Sequence, residues 1–378
     1  MLYTRTIQPL IEKDLFNERA VIVYGARRVG KTTLVKNILD KYKNLKTRYI
    51  SCDEQVVRDG LAVANSGKLY DFIGDFDLVV LDEAQRIEDI GIKLKLLVDT
   101  YPKLQLLVTG SSSLDLSNKI SESLTGRKLT HMLYPLSVKE LGKHWSELLI
   151  DNTIERILKF GAYPSVLLAT DMAKAEREIK NITSDYLYKD VLEYQDIRNP
   201  EQLYKILRAL ALQVGKEVSM NELAQTVGLN NETVTRYVWL LEQSFVIFRL
   251  DPLSKNPRNE ITKTKKIYFY DLGVLNSLLD NFNSIDIRPD KGGLWENFCI
   301  LERKKNMDYM DRSYRPYFWR NYAQAEIDYI EEVNNTYDCF EFKYSSRKKS
   351  KIPAAFATNY NVNKYQVINS DNWYEFIY

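Results

Sequence analysis

Apolar positions first recur at helical spacing, Ile7, Leu10, Ile11, Leu15 and Phe16, and then close up into a continuous run, Ala20-Val21-Ile22-Val23-Tyr24. The first pattern predicts an amphipathic helix and the second a buried strand. A helical pattern follows at Leu34, Val35, Ile38 and Leu39, then a strand at Thr47–Cys52, then the apolar strand Phe76-Asp77-Leu78-Val79-Val80-Leu81. Leu94, Leu97 and Val98 mark another helix, and Leu104–Val108 another buried strand. Strands buried on both faces and separated by helices predict a parallel α/β sheet over residues 1–135.

Beyond the Pro135 break the pattern changes. Ser137 and Glu140 have the spacing of a capping box, and Ile154, Ile157, Leu158, Val166, Leu167 and Leu168 continue as helices. A long helix through Ile179, Ile182, Tyr186, Leu187 and Val191 completes a helical lid and connector over 136–198. A helical pattern at Leu203, Ile206, Leu207, Leu210 and Leu212 is followed by two helices, over 219–229 and 230–241, joined by a turn at Gly228 and capped again near Asn230 and Asn231. Strands at Phe245–Leu250 and Ile267–Tyr270 follow, so residues 199–270 predict a winged helix-turn-helix.

Residues 271–378 predict a last domain, with a helix at Gly293–Leu301 and strands at Glu326–Ile330 and Cys339–Lys343. Asn334-Asn335 tolerates positive φ and suits a two-residue hairpin, which pairs Val333 with Thr336. That register sets Asp328 opposite Glu341 and Glu326 opposite Lys343, and it puts Ile327, Tyr329, Phe340 and Phe342 together on the core face.

The chemistry concentrates where the first strand meets its helix, at Gly25-Ala26-Arg27-Arg28-Val29-Gly30-Lys31-Thr32-Thr33. This is a P-loop in its required strand-to-helix context. The glycines let successive N–H groups curl toward a polyphosphate, and the helix start adds its positive end. Lys31 reaches the β and γ phosphates and the Thr32 hydroxyl ligates Mg²⁺. Asp82 and Glu83 end an apolar strand, the position of an aspartate that holds the Mg²⁺ shell and of a glutamate that activates water. Thr109 or Ser111, at the end of the next strand, is placed to sense the γ phosphate. Arg5 can reach a nucleotide base, with a solvated arginine as the plainer reading.

Composition adds little direction. The chain has 378 residues, 45% apolar and 28% charged, with 53 Lys and Arg against 51 Asp and Glu, so any basic surface must be local. Between residues 255 and 266, Lys255, Arg258, Lys263, Lys265 and Lys266 face Glu260 alone, a basic stretch able to meet phosphates. On the second helix of the turn motif, Asn231, Thr233, Thr235 and Arg236 form the face that would read DNA. The three cysteines, Cys52, Cys299 and Cys339, and the two histidines, His131 and His144, lack zinc or disulfide spacing. No run is long enough to span a membrane and the N-terminus lacks a signal core, which points to the cytoplasm.

The stretches GARRVGKTTL, LVVLDEAQRI, LLVTGSSSL and LTGRKLTHMLYPLSVKEL resemble the prokaryotic AAA-type ATPases that carry an uncharacterised nuclease-like domain at the C-terminus. The resemblance implies ATP and Mg²⁺ as ligands and DNA or RNA as partners of the later domains. It leaves an oligomer open. It also implies that Arg127, in the Gly126-Arg127 pair, acts as an arginine finger or sensor, in its own subunit or across an interface. The C-terminal layout is similar to PD-(D/E)XK nucleases. That likeness makes Asp328, Glu341 and Lys343 the catalytic residues, and Asp328, Glu341 and the helix acid Glu296 the metal ligands. Arg347, Lys348, Lys349 and Lys351 would hold a phosphate backbone. The alternative is an ATP-dependent switch or scaffold that binds DNA or protein and cuts nothing.

Overall fold

The computed structural model describes residues 3–111, 124–142, 147–186, 200–255, 264–347 and 350–378, with the backbone alone for 147–152 and 186. Leu187 and Val191 of the connector lie outside the described residues, as do His144, Arg258, Glu260, Lys263, Lys348 and Lys349. The chain divides into two compact units, residues 1–136 with 243–245, and residues 137–242 with 246–378.

The first unit is built on five parallel strands, β1 (Ala20–Tyr24), β2 (Thr47–Ser51), β3 (Leu78–Asp82), β4 (Gln105–Gly110) and β5 (Lys128–Met132), in the order β2-β3-β4-β1-β5. Every residue of β3 and β4 is buried, which is why these strands read as unbroken apolar runs rather than as alternations. Ile22, Val79, Leu81, Leu106 and Val108 pack with Leu94 and Leu97 of helix Ile90–Thr100 in one core. Strand β4 stands between β1 and β3, pairing Gly110 with Tyr24 and Val108 with Leu81. The P-loop after β1 and the acids ending β3 therefore share the carboxyl edge of the sheet, one strand apart.

The second unit opens with the expected capping box. The Glu140 N–H donates to the Ser137 hydroxyl at 3.2 Å and the Ser137 N–H to the Glu140 carboxylate at 2.9 Å. Helices Glu147–Phe160, Pro164–Leu167 and Met172–Tyr186 follow. Helices Met220–Val227 and Asn231–Gln243 turn through Gly228, whose φ of 72° explains the glycine, and Asn230 accepts the Thr233 N–H at 2.7 Å.

The sheet of this unit joins what the chain pattern divides. Strands β6 (Glu217–Val218), β7 (Ile247–Pro252), β8 (Lys265–Phe269), β9 (Arg315–Arg320), β10 (Glu326–Val333), β11 (Thr336–Phe342) and β12 (Val362–Ile368) lie in the order β12-β11-β10-β9-β7-β8-β6. The expected boundary at 270/271 is therefore bridged: β7 pairs in parallel with β9 through Asp251–Tyr317 and Pro252–Phe318. Pairing leaves neither strand as an open edge there.

The β10–β11 hairpin has the expected register from Val333–Thr336 to Tyr329–Phe340, with Asn334 and Asn335 at φ of 52° and 60°. The core assignment needs correction. A bulge in the β9–β10 pairing between Ile327 and Ile330 lets Ile327 join Ile330, Cys339, Trp319 and Phe356 on one face. Tyr329, Phe340 and Phe342 instead meet Phe376 on the other. An inserted residue shifts the alternation by one, and simple period-two counting does not see it.

Candidate nucleotide-binding site

Backbone geometry makes the P-loop before any side chain acts. Gly30 has φ of 101°, and a Cβ on Gly25 would stand 2.3 Å from the Leu133 carbonyl oxygen, so neither position accepts a side chain without displacement. Ala26 and Val29 are buried, Arg27 is half-buried, and Arg28 is exposed with φ of 61°. Helix Lys31–Lys41 starts at the loop, so the N–H groups of Lys31, Thr32 and Thr33 fall in its first turn, where no intrahelical partner exists. Arg5 corrects both readings of it. It is buried, donating to the Val29 carbonyl at 2.7 Å and the Tyr134 carbonyl at 2.5 Å, and so ties the loop to the chain beyond β5.

The Lys31 ammonium bonds the Gly25 and Ala26 carbonyls at 2.9 and 3.0 Å and stands 3.8 Å from Glu83. Asp82 gathers three hydroxyls: Thr32 at 2.7 Å and Tyr49 at 2.6 Å on Oδ2, and Thr109 at 2.5 Å on Oδ1. Thr109 also accepts the Glu83 N–H at 3.0 Å, which holds Glu83 in the left-handed region at φ 56°. Gln85 donates to the Glu83 carboxylate at 2.5 Å and to Ser111 at 2.8 Å. Burial and the Asp82 contact push the Tyr49 phenol well up.

These residues fit Mg²⁺ and a polyphosphate. The donors around Asp82 are all oxygens, as a hard cation requires, and a glycine cradle with a helix start faces them. Tyr49 and Gln85 escaped sequence reasoning, because a tyrosine in a strand and a glutamine in a loop carry no signature of their own. Thr109 serves the two acids directly.

Arg127 is not part of this constellation. Its carbonyl accepts the Ala20 N–H at 2.9 Å, so it stands beside the start of β1, and its guanidinium pairs with Asp99. The P-loop lies past the other end of β1, five residues or about 16 Å away. That separation rules out the expected finger on its own subunit's phosphate.

The C-terminal acids gather, but around a different centre from the one expected. Lys266, 1% exposed, lies 2.9 Å from Glu296 Oε1, 2.5 Å from Glu326 Oε1 and 3.7 Å from Asp328 Oδ1. Tyr268 donates to Glu296 Oε1 at 2.6 Å. Asp328 Oδ2 accepts the Phe342 N–H at 2.8 Å, and Lys343 pairs with Glu341 Oε1 at 2.6 Å. Glu341 Oε2 is buried with no hydrogen-bond partner. Burial, then the Asp328 charge, raises the Glu341 carboxyl, while burial raises Glu296 to about 7 against the pull of Lys266. Among the described residues no group of three His, Cys, Asp or Glu side chains is arranged to hold a metal ion, and two acids of the expected Glu296–Asp328–Glu341 set face the Lys266 ammonium instead. Lys266, counted with the basic stretch by sequence, is withdrawn from any surface. Lys265 and Lys255 remain, bonded to Asp251 and Asn359.

Three family models match the chain: an AAA domain over residues 17–142, a domain of unknown function (DUF8612) over 151–284, and a domain of unknown function (DUF4143) over 291–377. The N-terminal unit is thus similar to AAA domains, and its parallel sheet resembles that of P-loop ATPases. A Walker-type ATPase of Pyrococcus abyssi shares the fold at a TM-score of 0.52 and 17% identity, covering 74% of this chain and 96% of that one. An uncharacterized protein of Methanocaldococcus jannaschii is 26% identical, over 90% of this chain and 78% of its own. Another, of Mycobacterium tuberculosis, is 28% identical over 89% and 73%. The second model begins inside the expected lid and ends beyond the expected helix-turn-helix boundary at 270. No described helix is long and apolar enough to cross a membrane.

Proposed function

We propose that this chain binds and hydrolyses ATP with Mg²⁺, and that its nucleotide state acts on a C-terminal unit that grips a partner without cutting it. The observation that carries the reading is the hydrogen-bonded line Thr32–Asp82–Thr109–Glu83, facing Lys31 across the sheet edge. Mg²⁺, when bound, neutralises charge on the β and γ oxygens. Lys31 exchanges two loop carbonyls for phosphate oxygens, which removes its restraint on the empty loop. Thr32 and Asp82 supply the metal's protein oxygens. Glu83 takes the proton of the attacking water, and a switch that only binds nucleotide has no need of that base.

A fluorescent ATP analogue should saturate the wild type and bind Lys31→Ala at least 10-fold more weakly, the loss of one charge-assisted contact. Phosphate release should fall about 10²-fold or more in Glu83→Gln with binding retained. Equal release from both proteins removes Glu83 from the mechanism.

For the partner, exposed Asn231, Thr235 and Arg236 on helix Asn231–Gln243, with Arg347 and Lys351 exposed elsewhere in the unit, favour nucleic acid. A gel shift whose affinity falls steeply with salt tests this, and salt-insensitive binding, or none, favours a protein partner.

A further inference from the structure

We propose that Lys266 is the resident cation of the acidic cluster of Glu296, Glu326 and Asp328, taking two of the three acids, Glu296 and Asp328, that a nuclease-like site would give to a divalent ion. Three elements build the cluster: β8 supplies the lysine, helix Lys291–Tyr309 supplies Glu296, and β10 supplies Glu326 and Asp328. With Glu296 and Asp328 buried and Glu326 half-buried, such a concentration of carboxylates calls for a positive charge. An ammonium has three donors, and here it faces three carboxylates at 2.9, 2.5 and 3.7 Å, with the Phe318 ring 5.5 Å away. A Mg²⁺ ion drawing on the same oxygens at about 2.1 Å would overlap the ammonium.

Asp328 Oδ2 is engaged by the Phe342 N–H and Glu341 Oε1 by Lys343, so Glu341 Oε2 alone is left of that pair. The Gly215 backbone closes the cluster from the side: a Cβ there would sit 3.1 Å from Glu296 Oε2. The lysine also ties β8 to helix Lys291–Tyr309 and β10, which neutral side chains could do only with packing of the same volume.

The test is Mn²⁺ binding to the full chain without nucleotide, read from the electron paramagnetic resonance signal of free Mn²⁺. Wild type and Glu296→Gln should bind the same amount. Lys266→Met, which keeps most of the length of the side chain without its charge, should gain one Mn²⁺ site per chain, and Lys266→Met with Glu296→Gln should lose it. A wild-type site abolished by Glu296→Gln overturns the proposal, as does a Lys266→Met protein with native circular dichroism and no added site. Should Lys266→Met fail to fold, the wild type against Glu296→Gln decides alone. Plasmid nicked by the wild type with Mn²⁺ and spared by Asp328→Ala would also refute it.

Discussion

Replacing Thr109 by valine removes one hydroxyl and keeps the shape, so the wholly buried site gains neither cavity nor clash. Two bonds disappear together. One is the 2.5 Å contact to Asp82 Oδ1, a hydrogen bond to a charged group worth about 1.5–3 kcal/mol. The other is the acceptor of the Glu83 N–H, and losing it leaves a backbone donor unpaired while Glu83 is held at φ 56°, a conformation that itself costs about 1–2 kcal/mol. Glu83 then has reason to relax toward ordinary backbone, carrying its carboxylate away from the water it must activate. Asp82 keeps Thr32 and Tyr49 on its other oxygen, so the metal's protein ligands stay in place. If about 2–3 kcal/mol of positioning is lost from the reacting state, kcat for phosphate release falls about 30- to 150-fold. The bonds of the Thr109 hydroxyl go to Asp82 and Glu83 and not to Lys31, so the Kd for a fluorescent ATP analogue should change less than about threefold. A valine variant with wild-type kcat, or one whose Kd worsens in step with kcat, would show that Thr109 does not position the acids.

Two further outcomes follow from the geometry. Arg127→Ala, assayed at a concentration where the chain is monomeric, should hydrolyse ATP within about twofold of wild type, because Arg127 pairs with Asp99 at the far end of β1; a drop of 10-fold or more refutes that placement. Asp271 caps helix Leu272–Leu279 and accepts the N–H groups of Ala162, Gly273 and Val274, yet burial pushes its carboxyl up to about 6. Its folded value exceeds the unfolded value of about 3.9, so its contribution is complete below that value and is lost as pH rises through about 6. The Tm advantage of wild type over Asp271→Asn, from differential scanning fluorimetry, should shrink between about pH 4 and pH 7, and an advantage that grows with pH contradicts the assignment.

Much of the first unit was legible in the chain because its strands are buried on both faces and its loop must use glycine. The order β2-β3-β4-β1-β5 was not, although the end-of-strand positions of Asp82 and Thr109 already placed both beside the P-loop. In the second unit, the Asn334-Asn335 turn fixed the hairpin register as far as Tyr329–Phe340. The bulge at Asp328 and Tyr329 then moved Ile327 to the other face, since local spacing carries no mark that β10 has one residue more than β9 at that point.

By itself the sequence determined the local chemistry: the glycines at 25 and 30, the lysine and threonine after them, the paired acids at 82 and 83, and the turn that pairs β10 with β11. Those are contacts between near neighbours, or consequences of backbone conformation. Only the tertiary structure decided which distant charges meet. It buried Arg5 under the loop, gave Arg127 to Asp99 and drew Lys266 from a basic stretch into three carboxylates. A side chain's charge is written in the sequence, but its partner depends on which strands lie side by side, and that order is set by packing across the whole unit.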